Sequence, residues 1–356
     1  MFGQPNSKWR RRVNDQRASI PLLVVQSISR TQEDAMPVPD KLEIRQIALE
    51  IYGGCNYRCP MCPQSTGRES EFLKKMPFDV FAKIIDDGQQ YGCELVSLHG
   101  SGEATLHPQM PEFVRYVKAA GMRCITVSNG HLLTPELSRK LIEAGIDAVR
   151  ISGIGFDRET YRKWMSKDAF ETVRKNVKAF IRLNSEMGGS SDLRTYHLIL
   201  DARNAEQEVA NYRDAWIDHC GVQGEIWLMH NWSGLYSAIP YGRRAERRRS
   251  CGRPRAPYLN VRAGGLGGHY GAVVPCCFVL GQDSIAVLGH LDTQTIAEVV
   301  GGDKYNVLRL KHDQERFDDL PYCKSCDQLL DVPESLVWTN IPGKKYGQSK
   351  VLQDLD

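Results

Sequence analysis

The chain has 356 residues, with 46 lysine and arginine residues against 43 aspartate and glutamate residues, so its formal net charge is +3. With 42% apolar and 25% charged residues, the composition is typical of a folded globular protein and excludes disorder, collagen-like repeats and a nucleic-acid scaffold. No apolar run approaches the ~18 residues that a membrane helix needs, and no apolar signal segment follows the basic start. We therefore expect a cytoplasmic protein without a membrane partner.

The first part of the chain predicts an extension followed by an α/β barrel-like domain. Residues 1–44 contain arginines and prolines with little periodicity, which indicates an N-terminal extension. Over residues 45–232, short apolar runs alternate with amphipathic stretches about six times, which predicts a parallel sheet flanked by helices. Gly92, Gly121 and Gly145 each end a helical pattern just before the next strand, where a left-handed C-cap residue belongs.

The second part of the chain is richer in glycine and cysteine. The alternation stops near residue 233, and a glycine-rich, hairpin-like segment follows, so we predict a smaller domain over residues 233–340 and a tail over residues 341–356. Eleven cysteines are many for a cytosolic chain, in which structural disulfides are rare, and an odd number cannot all pair internally. The spacing of the cysteines therefore matters more than their number.

Three cysteines lie together directly after the first predicted strand. Cys55, Cys59 and Cys62 have the spacing C-x3-C-x2-C, and three thiolates on one loop can hold one face of a metal centre. Structural zinc normally takes four protein ligands, and no fourth donor lies at the usual spacing. A 4Fe-4S cluster held by three cysteines leaves one iron open to a small molecule. An open iron of this kind is a catalytic device.

This trio, with an aromatic residue inside the motif and its position after a first barrel strand, resembles the radical S-adenosylmethionine superfamily. In that family the open iron binds S-adenosylmethionine, and an electron from the cluster cleaves it to a 5′-deoxyadenosyl radical. The resemblance implies a partial (β/α)6 TIM barrel over residues 45–232. Six βα units cannot close an eight-stranded ring, so a lateral opening for substrate is expected.

The loops after the next three strands resemble the family's S-adenosylmethionine contacts. The glycine-glycine-glutamate motif departs from the family only at Ala104, where proline is commoner, and Ile154 replaces an aspartate that usually follows the fourth strand. Each loop alone is an ordinary turn, but the loops occur in register with the cysteine trio. The implied contacts are Gly100, Gly102 and Glu103 after the second strand, Ser128 and Asn129 after the third, and Ser152 after the fourth.

Four cysteines of the C-terminal part form a second ligand set. Cys276 is preferred to Cys277 because of its spacing from Gly271, and because neighbours in an extended chain face opposite sides. Four thiolates suit zinc and iron–sulfur equally on chemistry alone. The arrangement resembles the SPASM/twitch extension of the same superfamily, which implies one auxiliary 4Fe-4S cluster, since no cysteine follows Cys326. The implied ligands are Cys251, Cys276, Cys323 and Cys326.

The resemblance implies an oxidoreductase similar to 2-deoxy-scyllo-inosamine dehydrogenase-type enzymes. In such an enzyme the 5′-deoxyadenosyl radical removes a hydrogen atom from a sugar or aminocyclitol, and the auxiliary cluster takes an electron as alcohol becomes ketone. The implied partners are this small molecule and a flavodoxin- or ferredoxin-type electron donor. The arginine run over residues 243–249, with Arg253 and Arg255, suits a phosphorylated or nucleotide-linked substrate, but a solvated helix face or a reductase-docking patch has the same pattern.

Three alternatives use the same sequence features. An epimerase would need a hydrogen donor, for which Cys220 or Cys277 is spare, although both are more simply buried small residues. A peptide-modifying enzyme is the second, but only about 44 residues precede the barrel, fewer than a separate leader-binding module needs. A zinc-bound scaffold without catalytic activity is the third. It would neither absorb as an iron protein nor cleave S-adenosylmethionine.

Each residue that could act on the substrate could equally have a purely structural role. Alcohol oxidation releases a proton, and a base must lie within hydrogen-bond reach to take it. Arg203, His230 and His99 follow strands and are candidates, although a surface or structural role is as simple. Trp227, Trp232 and Tyr236 either wall a cavity or belong to the core, and Cys93 and Cys124 are predicted packing residues.

Overall fold

Ten strands form one continuous sheet in the computed structural model, which describes residues 42–237, 248–281, 283–329 and 336–343. The strands are β1 (Gln46–Leu49), β2 (Leu95–Leu98), β3 (Arg123–Ser128), β4 (Ala148–Ser152), β5 (Asp192–Ile199), β6 (Gln223–Leu228), β7 (Tyr258–Gly264), β8 (Tyr270–Val274), β9 (Gly289–His290) and β10 (Leu336–Thr339). Their order is β10-β6-β5-β4-β3-β2-β1-β7-β8-β9. β1 to β6 are parallel, which confirms the predicted six-stranded partial barrel.

Helices connect the parallel strands. In the described residues these helices are α1 (Phe78–Gln90), α2 (Met110–Ala119), α3 (Pro135–Glu143), α4 (Arg158–Met165), α5 (Phe170–Glu186) and α6 (Ala205–Tyr212). Two more, α7 (Ile296–Gly301) and α8 (Asp303–Asp313), follow β9. α6 continues as a π-helical turn over Arg213–Asp218. The sequence pattern missed α4, whose start is stabilised by a capping box between Asp157 and Thr160.

Glycine ends the helices where the pattern predicts it. Gly92, Gly121 and Gly145 have φ values of +81°, +81° and +83°, and each follows the last turn of α1, α2 or α3. A side chain in this left-handed conformation is strained, whereas glycine adopts it freely. The prediction of these C-caps is confirmed.

The two faces of the parallel sheet differ in character. Ile47, Val96 and Val149 are fully buried in the main hydrophobic core, together with apolar residues of the helices. Successive strand residues point to opposite faces, so the residues between them face the inside of the partial barrel. This inner face is where polar side chains collect.

The C-terminal part of the chain extends the same sheet. β7 pairs in parallel with β1, and β7, β8 and β9 form an antiparallel meander, which confirms the hairpin-like segment. β10 pairs antiparallel with β6 at the other edge. The parallel pairing of β7 with β1 joins this part closely to the barrel, and the domain boundaries at residues 232 and 340 stay predictions.

Some sequence predictions concern residues outside the described ranges. They are the N-terminal extension up to residue 41, residues 243–247 of the arginine run, and the C-terminal tail from residue 344. Within the described ranges, no helix combines the length and apolar character required to cross a bilayer.

Candidate radical SAM and auxiliary-cluster sites

The first cysteine trio lies on one loop after β1. Burial raises the pKa of the Cys55 thiol to about 11, and burial with repulsion from the other two thiolates raises the pKa of Cys59. Burial also raises the pKa of Cys62. Three thiolates crowded and buried in this way need a strongly Lewis-acidic centre to stay ionised. Three protein thiolates are one fewer than a structural zinc site normally takes, whereas a 4Fe-4S cluster held by three cysteines keeps one iron open.

The loop after β2 packs so closely on the cysteine loop that it requires glycine. A Cβ at Gly102 would lie 1.9 Å from the carbonyl oxygen of Tyr52, and a Cβ at Gly100 would lie 2.4 Å from Glu50 Oε2. The backbone N–H of Glu103 donates to the carbonyl of Gly54 at 2.8 Å. The glycines thus bring the glutamate backbone against the cysteine loop.

Glu103 joins the loops after β2 and β3. Its buried carboxylate accepts hydrogen bonds from the Ser128 hydroxyl and the Asn129 backbone N–H, both at 2.8 Å. The Asn129 amide in turn donates to Asn56 Oδ1 at 2.8 Å, inside the cysteine trio. The structure therefore brings the implied S-adenosylmethionine contacts after β2 and β3 together with the cysteine loop. Ser152, after β4, donates instead to the Tyr196 hydroxyl at 2.8 Å.

A polar group on the inner face of β4, β5 and β6 was missed by the sequence analysis. Arg150 donates to Glu225 Oε2 at 2.6 Å, and the Trp227 indole N–H donates to the same oxygen at 2.8 Å. Tyr196 lies between Ser152 and Glu225 in the strand register. The signal that would have found this group is a charged residue in the middle of an apolar strand.

His99 belongs to the same inner face, at the end of β2. Its Nδ1 lies 2.6 Å from the Ser97 hydroxyl. Burial, and then the positive charges of Arg150 and Arg262, lower its pKa to about 4. His99 is therefore a neutral imidazole near pH 7, although part of its surface is exposed.

The four cysteines of the second set share one small hydrophobic cluster with Phe317 and Leu320. Burial raises the pKa of Cys276 and of Cys326 to about 12, and repulsion from neighbouring thiolates adds to both shifts. The thiolate of Cys276 also contributes to the raised pKa of Cys323. Cys276 packs against this cluster together with Cys251, and the choice of Cys276 over Cys277 stays a prediction.

The residues predicted to act on the substrate lie in different parts of the structure. Arg203 is exposed, lines a surface cleft of about 420 Å³ and pairs with Asp201 at 2.9 Å, which raises the pKa of Arg203, so its guanidinium stays protonated and is no base. Cys220 precedes β6 and so lies at the amino end of the strands, opposite the cofactor loops, which argues against a role as hydrogen donor. Cys277 stays beside Cys276. These positions argue against Arg203 as the base and Cys220 as the hydrogen donor, and both roles stay predictions.

His230 follows β6 and lies in an aromatic column. Its ring centroid is 3.8 Å from that of Trp232 and 4.2 Å from that of Phe278. Trp227 and Tyr236 pack at the edge of the main core. His230 thus has a structural environment, and its part in the chemistry stays a prediction.

The remaining predicted residues lie either in the hydrophobic core or in ion pairs at the surface. Cys93 and Cys124 are buried in the main core, where packing residues belong. Arg248 pairs with Asp318 at 2.7 Å, and Arg255 pairs with Asp313, so these two members of the arginine group bind acidic side chains of the chain itself.

Comparison with known proteins gives this geometry its context. Residues 49–196 match the model of the Radical SAM superfamily, and residues 268–327 match the SPASM iron-sulfur cluster-binding domain. The chain is 36% identical over 339 residues to the tungsten-containing aldehyde ferredoxin oxidoreductase cofactor-modifying protein of Pyrococcus furiosus, a match that covers 84% of this chain and 91% of that protein.

Two further proteins are similar over different extents. A probable GTP 3′,8-cyclase of Methanococcus maripaludis is 28% identical over 184 residues, which cover 52% of this chain and 58% of that protein. The crystal structure of BtrN in complex with AdoMet and 2-DOIA has a TM-score of 0.54 at 18% identity, and the match covers 84% of this chain and 99% of that chain. The latter likeness concerns the fold.

These matches confirm the resemblance stated from the motifs. They also confirm the predicted cofactors, which are S-adenosylmethionine, a 4Fe-4S cluster and auxiliary iron–sulfur binding. The loop packing described above, with crowded buried thiols at both sites, is compatible with these groups. The chain belongs to the radical SAM superfamily and carries a SPASM iron-sulfur cluster-binding domain in its C-terminal part.

Proposed function

We propose that the protein is a radical SAM oxidoreductase that oxidises a hydroxyl-bearing carbon of a small polar substrate, a sugar or an aminocyclitol, to a ketone. The observation that carries this proposal is the polar inner face of the barrel, where Arg150, Glu225 and His99 lie among strands whose outer faces are apolar. An apolar substrate would displace water from this charged pair without offering it hydrogen bonds, whereas a hydroxyl-rich substrate can form hydrogen bonds with it.

The cysteines divide between two cofactor sites in this proposal. Cys55, Cys59 and Cys62 hold the catalytic cluster, and the glycine and serine loops beside them bind S-adenosylmethionine. Cys251, Cys276, Cys323 and Cys326 hold the auxiliary cluster. When bound, these groups supply a 5′-deoxyadenosyl radical, which removes a hydrogen atom, and an acceptor for the second electron of the alcohol oxidation. A flavodoxin- or ferredoxin-type protein is proposed as the external reductant.

The inner-face residues position the substrate and take its proton. Arg150 and Glu225 present donors and acceptors in a fixed pair, held by the Trp227 indole N–H, which suits adjacent hydroxyl groups. His99 is neutral, so its imidazole has a nitrogen lone pair that can accept the carbinol proton. Among the three base candidates, His99 has the position that matches this role best.

The test is transfer of a label from a carbinol-deuterated substrate. Anaerobically reconstituted protein is incubated with S-adenosylmethionine, a strong reductant and a panel of deuterated sugars and aminocyclitols. We expect deuterium in 5′-deoxyadenosine, one equivalent for each ketone formed. Cleavage of S-adenosylmethionine without label transfer across the whole panel would overturn the proposal.

A matched pair of variants tests the inner face. Glu225→Gln keeps the size of the side chain but removes the carboxylate charge that pairs with Arg150. We expect ketone formation to fall by roughly tenfold or more, the size of one lost charge-assisted contact, while S-adenosylmethionine cleavage continues. Glu171→Gln, on the exposed surface of α5, should leave both unchanged.

A second function is favoured by one specific comparison. The relative from Pyrococcus furiosus matches 84% of this chain and is named for modification of a tungsten enzyme's cofactor, so an organic cofactor is an alternative substrate. Co-production of this protein with a tungsten-containing aldehyde oxidoreductase, followed by mass analysis of the extracted cofactor, decides between the two. A mass change that needs Cys59 would favour cofactor modification over sugar oxidation.

A further inference from the structure

Arg253 is a buried cation that pairs with no carboxylate of the described residues. Its side chain follows Cys251 by two residues and the residue is 8% exposed, yet its Nε has no hydrogen-bond partner among the described residues. The two other buried arginines of the described chain are both paired: Arg68 with Glu50, and Arg262 with Asp283. An unpaired buried guanidinium is costly, so a negative group is expected beside it.

The surroundings of Arg253 identify that negative group. Arg253 lies two residues after Cys251, and Phe278, which it contacts, lies two residues after Cys276. One side of the guanidinium lies over the Phe278 ring, with Cζ 4.5 Å from the ring centroid. The buried cation is thus held against an aromatic ring beside two cysteines of the second set.

A second N–H group points at the same cysteines. His312 is buried, and its Nε2 lies 3.5 Å from Cys323 Sγ while its Nδ1 lies 3.0 Å from the Ser250 hydroxyl. A metal-bound thiolate has no proton to donate, so Nε2 must carry the hydrogen and Nδ1 must accept from Ser250. Ser250 precedes Cys251, so this one histidine braces two of the four cysteines.

We propose that Arg253 and His312 raise the reduction potential of the auxiliary cluster, Arg253 by its charge and His312 by an N–H···S hydrogen bond. The inference rests on the ligand set assigned under the proposed function. Four thiolates outweigh the positive charge of a cubane core, so the ligated cluster is an anion and becomes more negative on reduction. A cation in a low-dielectric site stabilises the more negative state more strongly, and hydrogen bonds to the sulfurs act in the same direction.

A raised reduction potential suits a cluster that accepts an electron from the substrate. A cluster with only buried thiolates around it would resist an additional electron because the charge could not be dispersed. The Arg253 cation offsets part of that charge without occupying a coordination position. Phe278 contacts Arg253 on one side and His230 on the other, and His230 follows the carboxyl end of β6, so a chain of side-chain contacts joins Arg253 to that end of the barrel strand.

The experiment reads the auxiliary cluster alone, without substrate. The full chain with Cys55→Ala, Cys59→Ala and Cys62→Ala is reconstituted anaerobically, and the midpoint potential is titrated by electron paramagnetic resonance. We expect Arg253→Gln to shift the midpoint to a more negative potential and Arg253→Lys to remain close to the parent. His312→Phe, which keeps a ring but loses the N–H, should give a smaller shift in the same direction. Arg255→Gln is the matched control, because Arg255 is bonded to Asp313 at the surface.

Each outcome decides the inference. Arg253→Gln with full iron at the parent potential overturns it. If Arg253→Gln loses its roughly four iron atoms while Arg253→Lys keeps them, the cation stabilises the anionic cluster and the inference is supported. If both variants lose iron, the role is one of shape and the inference fails. Absence of iron from the parent itself would instead overturn the ligand set, a failure that is distinct from an unchanged potential.

Discussion

Arg68 Nε donates to Asp283 Oδ2 at 3.2 Å across a separation of 215 residues. Arg68 follows the first cysteine trio, and Asp283 belongs to the C-terminal part of the chain. Arg68 also pairs with Glu50 at 2.9 Å, and Arg262 pairs with Asp283 at 2.9 Å, with all four side chains at most 2% exposed. Glu50 accepts from the backbone N–H groups of the glycine loop as well. One buried network of two cations and two carboxylates therefore connects the two candidate cluster regions.

Removing one member of this network should destabilise the protein. Asp283→Asn leaves Arg68 and Arg262 buried with one carboxylate between them, and breaking a buried pair in this way typically costs about 3 to 5 kcal/mol. The free energy of unfolding from anaerobic urea titration measures the loss. Asp318→Asn, which removes an exposed partner of Arg248, should change it little. Equal effects of the two substitutions would contradict a structural role for the network.

Substitution in the first trio should remove one cluster only. Cys59→Ala takes away one of three thiolates, so iron per chain should fall from about eight to about four, and S-adenosylmethionine should no longer be cleaved. Iron analysis and detection of 5′-deoxyadenosine measure the two effects. Cys124→Ala is a matched control at a buried packing position, and it should keep both clusters.

The adjacent pair in the second set should behave differently. Cys276→Ala should halve the iron content, because Cys276 lies among the other three cysteines, whereas Cys277→Ala should retain about eight iron atoms. Iron analysis on anaerobically purified variants distinguishes them. Iron loss in Cys277→Ala alone would mean that the two neighbours exchange roles.

The close approach of the glycine loop should tolerate no side chain. In Gly102→Ala the new Cβ would meet the Tyr52 carbonyl at 1.9 Å, which forces the loop away from the cysteines. We expect S-adenosylmethionine to bind about tenfold more weakly or worse, equivalent to roughly 1.4 kcal/mol, by calorimetry on the loaded protein. Gly301→Ala, at an exposed position with nothing within 4 Å of the new Cβ, should bind normally. A normal affinity in Gly102→Ala would show that the loop can move freely.

Stability should fall as the pH is lowered through the range in which His99 titrates. The pKa of His99 is lowered from 6.5 to about 4, so the unfolded chain binds a proton there more readily than the folded protein. This contribution to stability is complete above pH 6.5 and is lost as pH falls towards 4. His99→Gln should therefore lose less stability across this window than the parent, as measured by urea midpoints at stepped pH. Ser185→Ala, which removes no titratable group at an exposed position, should follow the parent curve.

The order of the barrel and the two cysteine sets could be predicted because their signals are local. Alternation of apolar and amphipathic stretches predicts strand and helix directly, and a loop of eight residues such as Cys55 to Cys62 carries its own ligand spacing. The glycines at 92, 121 and 145 required only the end of a helical pattern. Helix α4 was missed because a short helix directly before a longer one gives no separate periodicity.

Contacts between distant parts of the chain needed the folded structure. Arg150 and Glu225 meet only because β4 and β6 present the same face of the sheet. Cys220 is a poor hydrogen donor because the fold places it before β6, at the end of the strands opposite the cofactor loops. In the sequence, Arg253 looks like one more residue of a basic run, whereas in the structure it is buried beside the second cysteine set. The chain alone thus determined the scaffold and the metal-binding residue types, because period and spacing are properties of neighbouring residues. Only tertiary structure decided which charges are paired, because pairing depends on strand register and on distance in space.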